Sequence, residues 1–169
     1  MPGQADFIED LLLNGHQVAV SVTFLETGAM LEEVLCDRGW KVGQINGKRS
    51  AEENETTRNA YQSGELDAVI FTVTESISLH QGELPGGDRP RAQVIHDMRH
   101  SAVQLQQIEG RSNRDGSSAV IYYTYAEDTV EEAITARVVT RMASMDGMAG
   151  DDTAMLDEIA RIIEAAARC

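Results

Sequence analysis

Two rhythms of apolar residues alternate along the chain. Val18 to Phe24, Trp40 to Ile45, Ala68 to Val73, Ala92 to Ile95 and Ser118 to Tyr125 are strand-length runs rich in β-branched and apolar residues. Between them the apolar positions recur every three or four residues, the spacing of a helix. Residues 4–14 carry Phe7, Ile8, Leu11 and Leu12 in this way, and Gly15 stops the helix. Thr27 is placed to cap a second helix that turns Met30, Leu31, Val34 and Leu35 inward and ends at Gly39. Asn46-Gly47 reads as a turn, and Ser50-Ala51-Glu52-Glu53 has the form of a capping box opening a helix to Gln62, closed by Gly64. Pro85, Gly86, Gly87 and Pro90 make residues 75–91 a long connection, after which Ser101 can cap another helix. Thr129-Val130-Glu131-Glu132 leads a helix to Met142, residues 145–152 read as a linker, and a last helix over 154–167 buries Met155, Leu156, Ile159, Ile162 and Ile163. Continuous apolar strands of this kind suit burial on both faces, so the pattern predicts an α/β domain with a mainly parallel sheet and helices on both sides.

Length and charge narrow the picture. A chain of 169 residues is long enough to bury a real core as one domain. It has no run of about 18 apolar residues, and no basic segment or cleavage signature at its start, so neither a membrane span nor secretion is indicated. Two cysteines, Cys36 and Cys169, are too few for a disulfide framework and have no metal-ligand spacing. Cys36 sits among apolar helix positions and reads as a small core residue in a reducing, intracellular setting. Twenty-eight Asp and Glu against 14 Lys and Arg leave a net charge of −14, which argues against tight independent binding of nucleic acid. A lobe that adds a few phosphate contacts to a larger assembly is compatible with it.

The candidate chemistry lies in Gln104-Leu105-Gln106-Gln107-Ile108-Glu109-Gly110-Arg111-Ser112-Asn113-Arg114. As a helix, this stretch puts Gln104, Gln107, Arg111 and Arg114 on one stripe, with Ala102, Leu105 and Ile108 on the side that can face a core. Two arginines on one ridge repel each other. Either the face is simply solvated, or both guanidiniums serve a shared polyanion, on whose phosphate oxygens they can fork. His96 and His100 have the i, i+4 spacing of a zinc pair but straddle a strand end, with no convincing third ligand, so no metal site is assigned.

Gln107-x-x-Gly110-Arg111-x-x-Arg114 resembles motif six of superfamily-two helicases and translocases. Val18 to Thr27 resembles motif four, and Thr72-Val73-Thr74-Glu75-Ser76-Ile77-Ser78-Leu79 motif five. Between these, Ile45-Asn46-Gly47, Arg58 and Gly64 to Ile70 follow the same register of strand, glycine turn, helix and strand. The resemblance covers residues 15 to about 142 and leans towards remodeller-type and strawberry-notch-like translocases. It implies a RecA-like fold of the P-loop NTPase type, over residues 1–145. Residues 146–169 would be a linker and a helix, packed on the lobe or continuing to a further segment.

The resemblance also implies roles. Arg111 and Arg114 would act as arginine fingers on ATP, with Gln107 orienting the helix or an attacking water. Gln104, Gly110, Ser76 and Ser78 would lie around the nucleotide, although Ser78 stands where relatives carry Asp or Asn. Thr23, Asn46, Gly47, Thr72 and Thr74 would contact nucleic acid, DNA in preference to RNA. For the hydroxyls of Thr72, Thr74, Ser76 and Ser78 ordinary strand-end capping is an equal alternative.

No G-x-x-x-x-G-K-[ST] occurs anywhere, and no apolar strand ends in an acidic pair for Mg²⁺. ATP and Mg²⁺ would therefore be held mainly by another, N-terminal RecA-like lobe, in the same chain or another. The reading is of half an ATP-dependent motor, inactive alone, either a piece of a longer helicase or a separately encoded lobe. The rival is a non-catalytic RecA-like scaffold that binds a protein partner.

Overall fold

A computed structural model describes residues 2–72, 78–79, 88–96, 108 and 119–124. The chain divides into two compact units, and every described residue belongs to the one made of Met1–Asp97 and Gln107–Thr124. Its elements are α1 (Pro2–Leu13), β1 (Gln17–Val22), α2 (Leu25–Asp37), β2 (Val42–Ile45), α3 (Ala51–Gln62), β3 (Ala68–Thr72), β4 (Arg91–Ile95) and β5 (Val120–Tyr123). The expected helices within 101–116, 129–142 and 154–167 lie outside the described residues. Among the described residues no helix is long and apolar enough to cross a membrane.

All five strands are parallel, in the order β2-β3-β1-β4-β5. The apolar runs dictate this. β1, β3 and β4 are buried along their whole length, so each needs strands on both sides and helices on both faces. β1 takes the centre, with Val18 beside Ala68 of β3 and Ala92 of β4.

On one face, Val18, Val20, Val22, Ala68, Ile70, Ala92 and Val94 meet Ala5, Ile8, Leu11 and Leu12 of α1 and Leu31 and Leu35 of α2. Each Leu or Ile removed from water here stabilises the fold by roughly 1.5–3 kcal/mol. Arg38, at the end of α2, clasps Asp6 and Glu9 of α1 at 2.7 Å each, and the Trp40 indole N–H reaches Glu9 at 3.2 Å. The two carboxylates hold the guanidinium above its ordinary pKa.

The three helices end alike. Gly15, Gly39 and Gly64 take positive φ, and the residue after each donates back to a carbonyl five positions earlier. The glycine supplies the left-handed residue that this closure needs. α3 starts as expected: the Ser50 hydroxyl accepts from the Glu53 N–H at 3.2 Å, and the Glu53 carboxylate accepts from the Ser50 N–H at 2.8 Å.

α2 differs from expectation. It begins at Leu25 after an extended Phe24 that offers no side-chain cap, so Thr27 lies inside the first turn and does not cap it. With the start moved forward, the inward stripe is Gly28, Leu31 and Leu35. Met30 and Val34 fall to the side and remain 51% and 37% exposed. Cys36 is likewise exposed and is not a core residue. Gly28 explains the shift: a Cβ there would already touch Val22 and Ile70 at 3.4 Å, so α2 seats by its glycine and two leucines.

Candidate functional site

In an open parallel sheet, ligands gather beyond the carboxyl ends of the strands. The strand registers place Ile45 beside Phe71, Val22 beside Thr72, Ser21 beside Ile95 and Ile95 beside Tyr123. One step further, Asn46, Thr72, Val22, His96 and Thr124 form a row along this edge. Thr23 follows directly. Three of the candidate nucleic-acid residues, Thr23, Asn46 and Thr72, thus stand at the ends of three neighbouring strands.

Asn46 is buried and built into its loop, whereas Gly47 is exposed. The Asn46 N–H donates to Asn54 Oδ1 at 3.2 Å, and Asn54 Nδ2 returns to the Asn46 carbonyl at 2.9 Å. Its own amide donates to Gln44 Oε1 at 3.1 Å and accepts from the Lys48 N–H at 3.0 Å. Arg49 donates to the Gln44 carbonyl at 2.9 Å. This loop is therefore fixed by its own side chains, and it presents Gly47 and Lys48 outward. At the far end of the row, Gln4 of α1 donates to the Thr124 hydroxyl at 2.6 Å, and that hydroxyl donates to the Ile95 carbonyl at 3.1 Å.

Two candidate segments reach the opposite face of the sheet. Ser78 is half-buried, and its carbonyl accepts from Gln62 Nε2 at 2.9 Å, with Leu79 fully buried next to it. Ile108 is helical and fully buried, and its carbonyl accepts from Gln93 Nε2 at 2.9 Å. The core-facing side expected for the arginine stretch is thus seen at Ile108. Gln104, Gln107, Gly110, Arg111, Arg114, Ser76 and Thr74 lie outside the described residues.

The glutamines that hold these segments were not foreseen from the sequence, nor was the network beneath them. Arg91 is 1% exposed on β4, stacked 4.4 Å from the centre of the Tyr61 ring. It donates to the Tyr61 carbonyl at 3.5 Å and to Gln62 Oε1 at 3.2 Å. Gln17 Nε2 donates to the Tyr61 carbonyl at 2.8 Å and the Leu66 carbonyl at 2.6 Å. Tyr61 lies in the last turn of α3, where its carbonyl accepts from the Gly64 N–H at 3.2 Å, and the cation and the amide add further donors to this helix terminus. Burial pushes the Tyr61 phenol above its usual pKa, against the opposing pull of Arg91. The signal available in the sequence was a polar residue inside a fully apolar strand: Gln93 in RAQVI, Gln17 opening QVAVSV. Among the described residues, no group of three or more His, Cys, Asp or Glu side chains gathers to hold a metal ion.

No protein-family model matches the chain. Its structure is similar to that of Mycobacterium smegmatis helicase Lhr bound to ssDNA and AMP-PNP, with a TM-score of 0.65 and 18% identity over 85% of this chain and 19% of that one. The C-terminal part of the Fun30 ATPase domain matches with a TM-score of 0.66 and 17% identity, over 96% of this chain and 52% of that one. The Saccharomyces cerevisiae Dbp5 C-terminal domain, bound to Gle1 and IP6, matches with a TM-score of 0.59 and 14% identity, over 99% of this chain and 93% of that one. The chain spans about a fifth of the Lhr chain and half of the Fun30 part. With five parallel strands and helices on both faces, it has a RecA-like fold, like the helicase and ATPase lobes it matches.

Proposed function

We propose that this chain is the second motor lobe of an ATP-dependent helicase or translocase acting on nucleic acid. The observation that carries the reading is the seating of Ile108. It is buried and bonded to β4, as the arginine stretch requires if its apolar side packs on the sheet and its Gln107–Arg111–Arg114 stripe turns away. In this reading Arg111 and Arg114 neutralise charge developing on ATP, and Gln107 orients the attacking water. Gln104, Gly110, Ser76 and Ser78 surround the nucleotide. Thr23, Asn46, Gly47, Thr72 and Thr74 track a nucleic-acid backbone through sequence-blind contacts. The nucleotide and its Mg²⁺ are held mainly by a P-loop lobe, in the same or another chain. Residues 1–145 form the lobe and 146–169 a linker with a further helix. The ssDNA and AMP-PNP bound to Lhr support nucleic acid and ATP as ligands of this class of fold.

The test is made in the complete motor, this chain together with its P-loop lobe. Arg111→Ala and Arg114→Ala are each expected to lower kcat by about 10³ or more, the scale of an arginine finger. Arg114→Lys should not restore it, because a point charge cannot reproduce the guanidinium fork. Arg137→Ala should hydrolyse ATP almost normally. A second reading, a protein-binding scaffold, is supported by the Dbp5 C-terminal domain bound to Gle1. It takes over if both arginine variants retain full turnover.

A further inference from the structure

The second face of the sheet carries Ala19, Val69, Phe71 and Ile95 together with buried Gln17, Ser21 and Arg91, and Gln93 stands among them in the middle of β4. It pairs with Ala19 in the register and is fully buried. Its Nε2 donates to the Ile108 carbonyl at 2.9 Å, and its Oε1 meets no donor among the described residues. An amide left half satisfied in a closed core is costly. Leucine or methionine would cover the same area without that cost. What the amide gains is a fixed bond to one backbone carbonyl in another segment. Ile108 directly follows Gln107 and precedes Arg111 by three residues, so the bond pins the backbone in the middle of the stripe that would face ATP.

We infer that Gln93 is a positioning residue, one whose buried amide holds the backbone at Ile108, and through it steers the Gln107–Arg114 stretch, without itself touching nucleotide. The inference rests on the motor reading above. Gln62 gives it a parallel: its amide holds the Ser78 carbonyl, while Arg91 fixes its other end. Both candidate segments are thereby tethered from the interior by a glutamine, at carbonyls that an apolar residue could only pack against. The chemistry needs such tethers, because a reacting group displaced by about 1 Å costs on the order of 10²-fold in rate.

The test compares Gln93→Met and Gln93→Leu with Arg114→Ala in the complete motor, measuring ATP turnover, KM for ATP and thermal melting. Methionine and leucine keep the volume and remove the orphaned oxygen but also leave the Ile108 carbonyl without this donor, so melting should stay cooperative with at most a modest fall. Turnover at saturating ATP is expected to fall about 10- to 100-fold with KM changed less than about threefold, the mark of lost alignment rather than lost binding. Unchanged turnover, or a raised KM alone, beside an inactive Arg114→Ala would overturn the role of Gln93 and leave the motor reading standing. Loss of cooperative melting in both Gln93 variants would make the amide a stability element and overturn the inference as well. If Arg114→Ala hydrolyses ATP normally, the motor reading fails and takes this inference with it.

Discussion

A methyl group added at Gly43 would lie 2.6 Å from Thr57 Cγ2 and 2.8 Å from Leu66 Cδ1. Leu66 can swing aside, but Thr57 is buried and stiff at χ1. Gly43→Ala is therefore expected to cost about 1–3 kcal/mol by overpacking, more than the ~0.4–1 kcal/mol returned by a less flexible unfolded chain. Gly28→Ala should behave oppositely. Its new methyl would meet Val22 and Ile70 at an ordinary 3.4 Å, inside a helix, for a gain of up to ~1 kcal/mol. Paired urea melts check both signs, and a stabilised Gly43→Ala would mean that α3 yields more easily than its packing implies. At this scale the sequence was least legible. Cys36, Met30 and Val34 look like core residues because helical spacing alone cannot say which side of a broad apolar stripe is covered. Arg91 and Gln93 look out of place in their strand until the carbonyls they serve are in view.

Helix boundaries were more legible, wherever a side chain or a glycine writes them. Ser50 and Glu53 announced the start of α3, and Gly15, Gly39 and Gly64 the ends of three helices. The start of α2 was missed because no cap marks it, only the packing of Gly28 on two strands. The capping box has a pH signature. The Ser50 backbone N–H, then its hydroxyl, hold the Glu53 carboxyl below the ordinary value of 4.5. A depressed carboxyl stabilises the fold above its unfolded pKa, and that contribution fades as pH falls through the lower folded value. The melting advantage of the parent over Glu53→Gln should therefore be present at neutral pH and vanish on acidification below 4.5. Ser50→Ala keeps the backbone N–H and loses only the hydroxyl, so the Glu53 titration, followed by NMR, should rise only part of the way towards 4.5. An unmoved titration would show that the Ser50 hydroxyl does not hold the carboxylate in solution.

For the whole molecule, the alternation of strand and helix made the parallel α/β fold readable, because fully buried strands leave few arrangements open. The order of the strands was not readable, since apolar runs of similar composition do not say which takes the centre. Charge and the missing P-loop set what the chain can do alone. At −14, binding of single- or double-stranded DNA by the isolated chain should be no tighter than about 10⁻⁴–10⁻⁶ M at physiological salt and should weaken steeply as salt rises. Fluorescence-anisotropy titrations check this, and sub-micromolar binding would contradict it. The same preparation should show no DNA-stimulated ATP hydrolysis, and turnover that follows the chain through successive columns would contradict that.

The central place of β1 has a consequence for how the protein is made. Gln17–Val22 leaves the ribosome well before the strands on its two sides, Ala68–Thr72 and Arg91–Ile95, are translated. At about 5–20 residues per second, the central strand waits several seconds with one or both edges open. An open, apolar edge is the kind of surface that pairs with neighbouring chains. Nascent chains halted after residue 90 should therefore be retained by holding chaperones or pellet, whereas the completed chain should not. For this fold the vulnerable interval is synthesis itself, before the last neighbour of the central strand arrives.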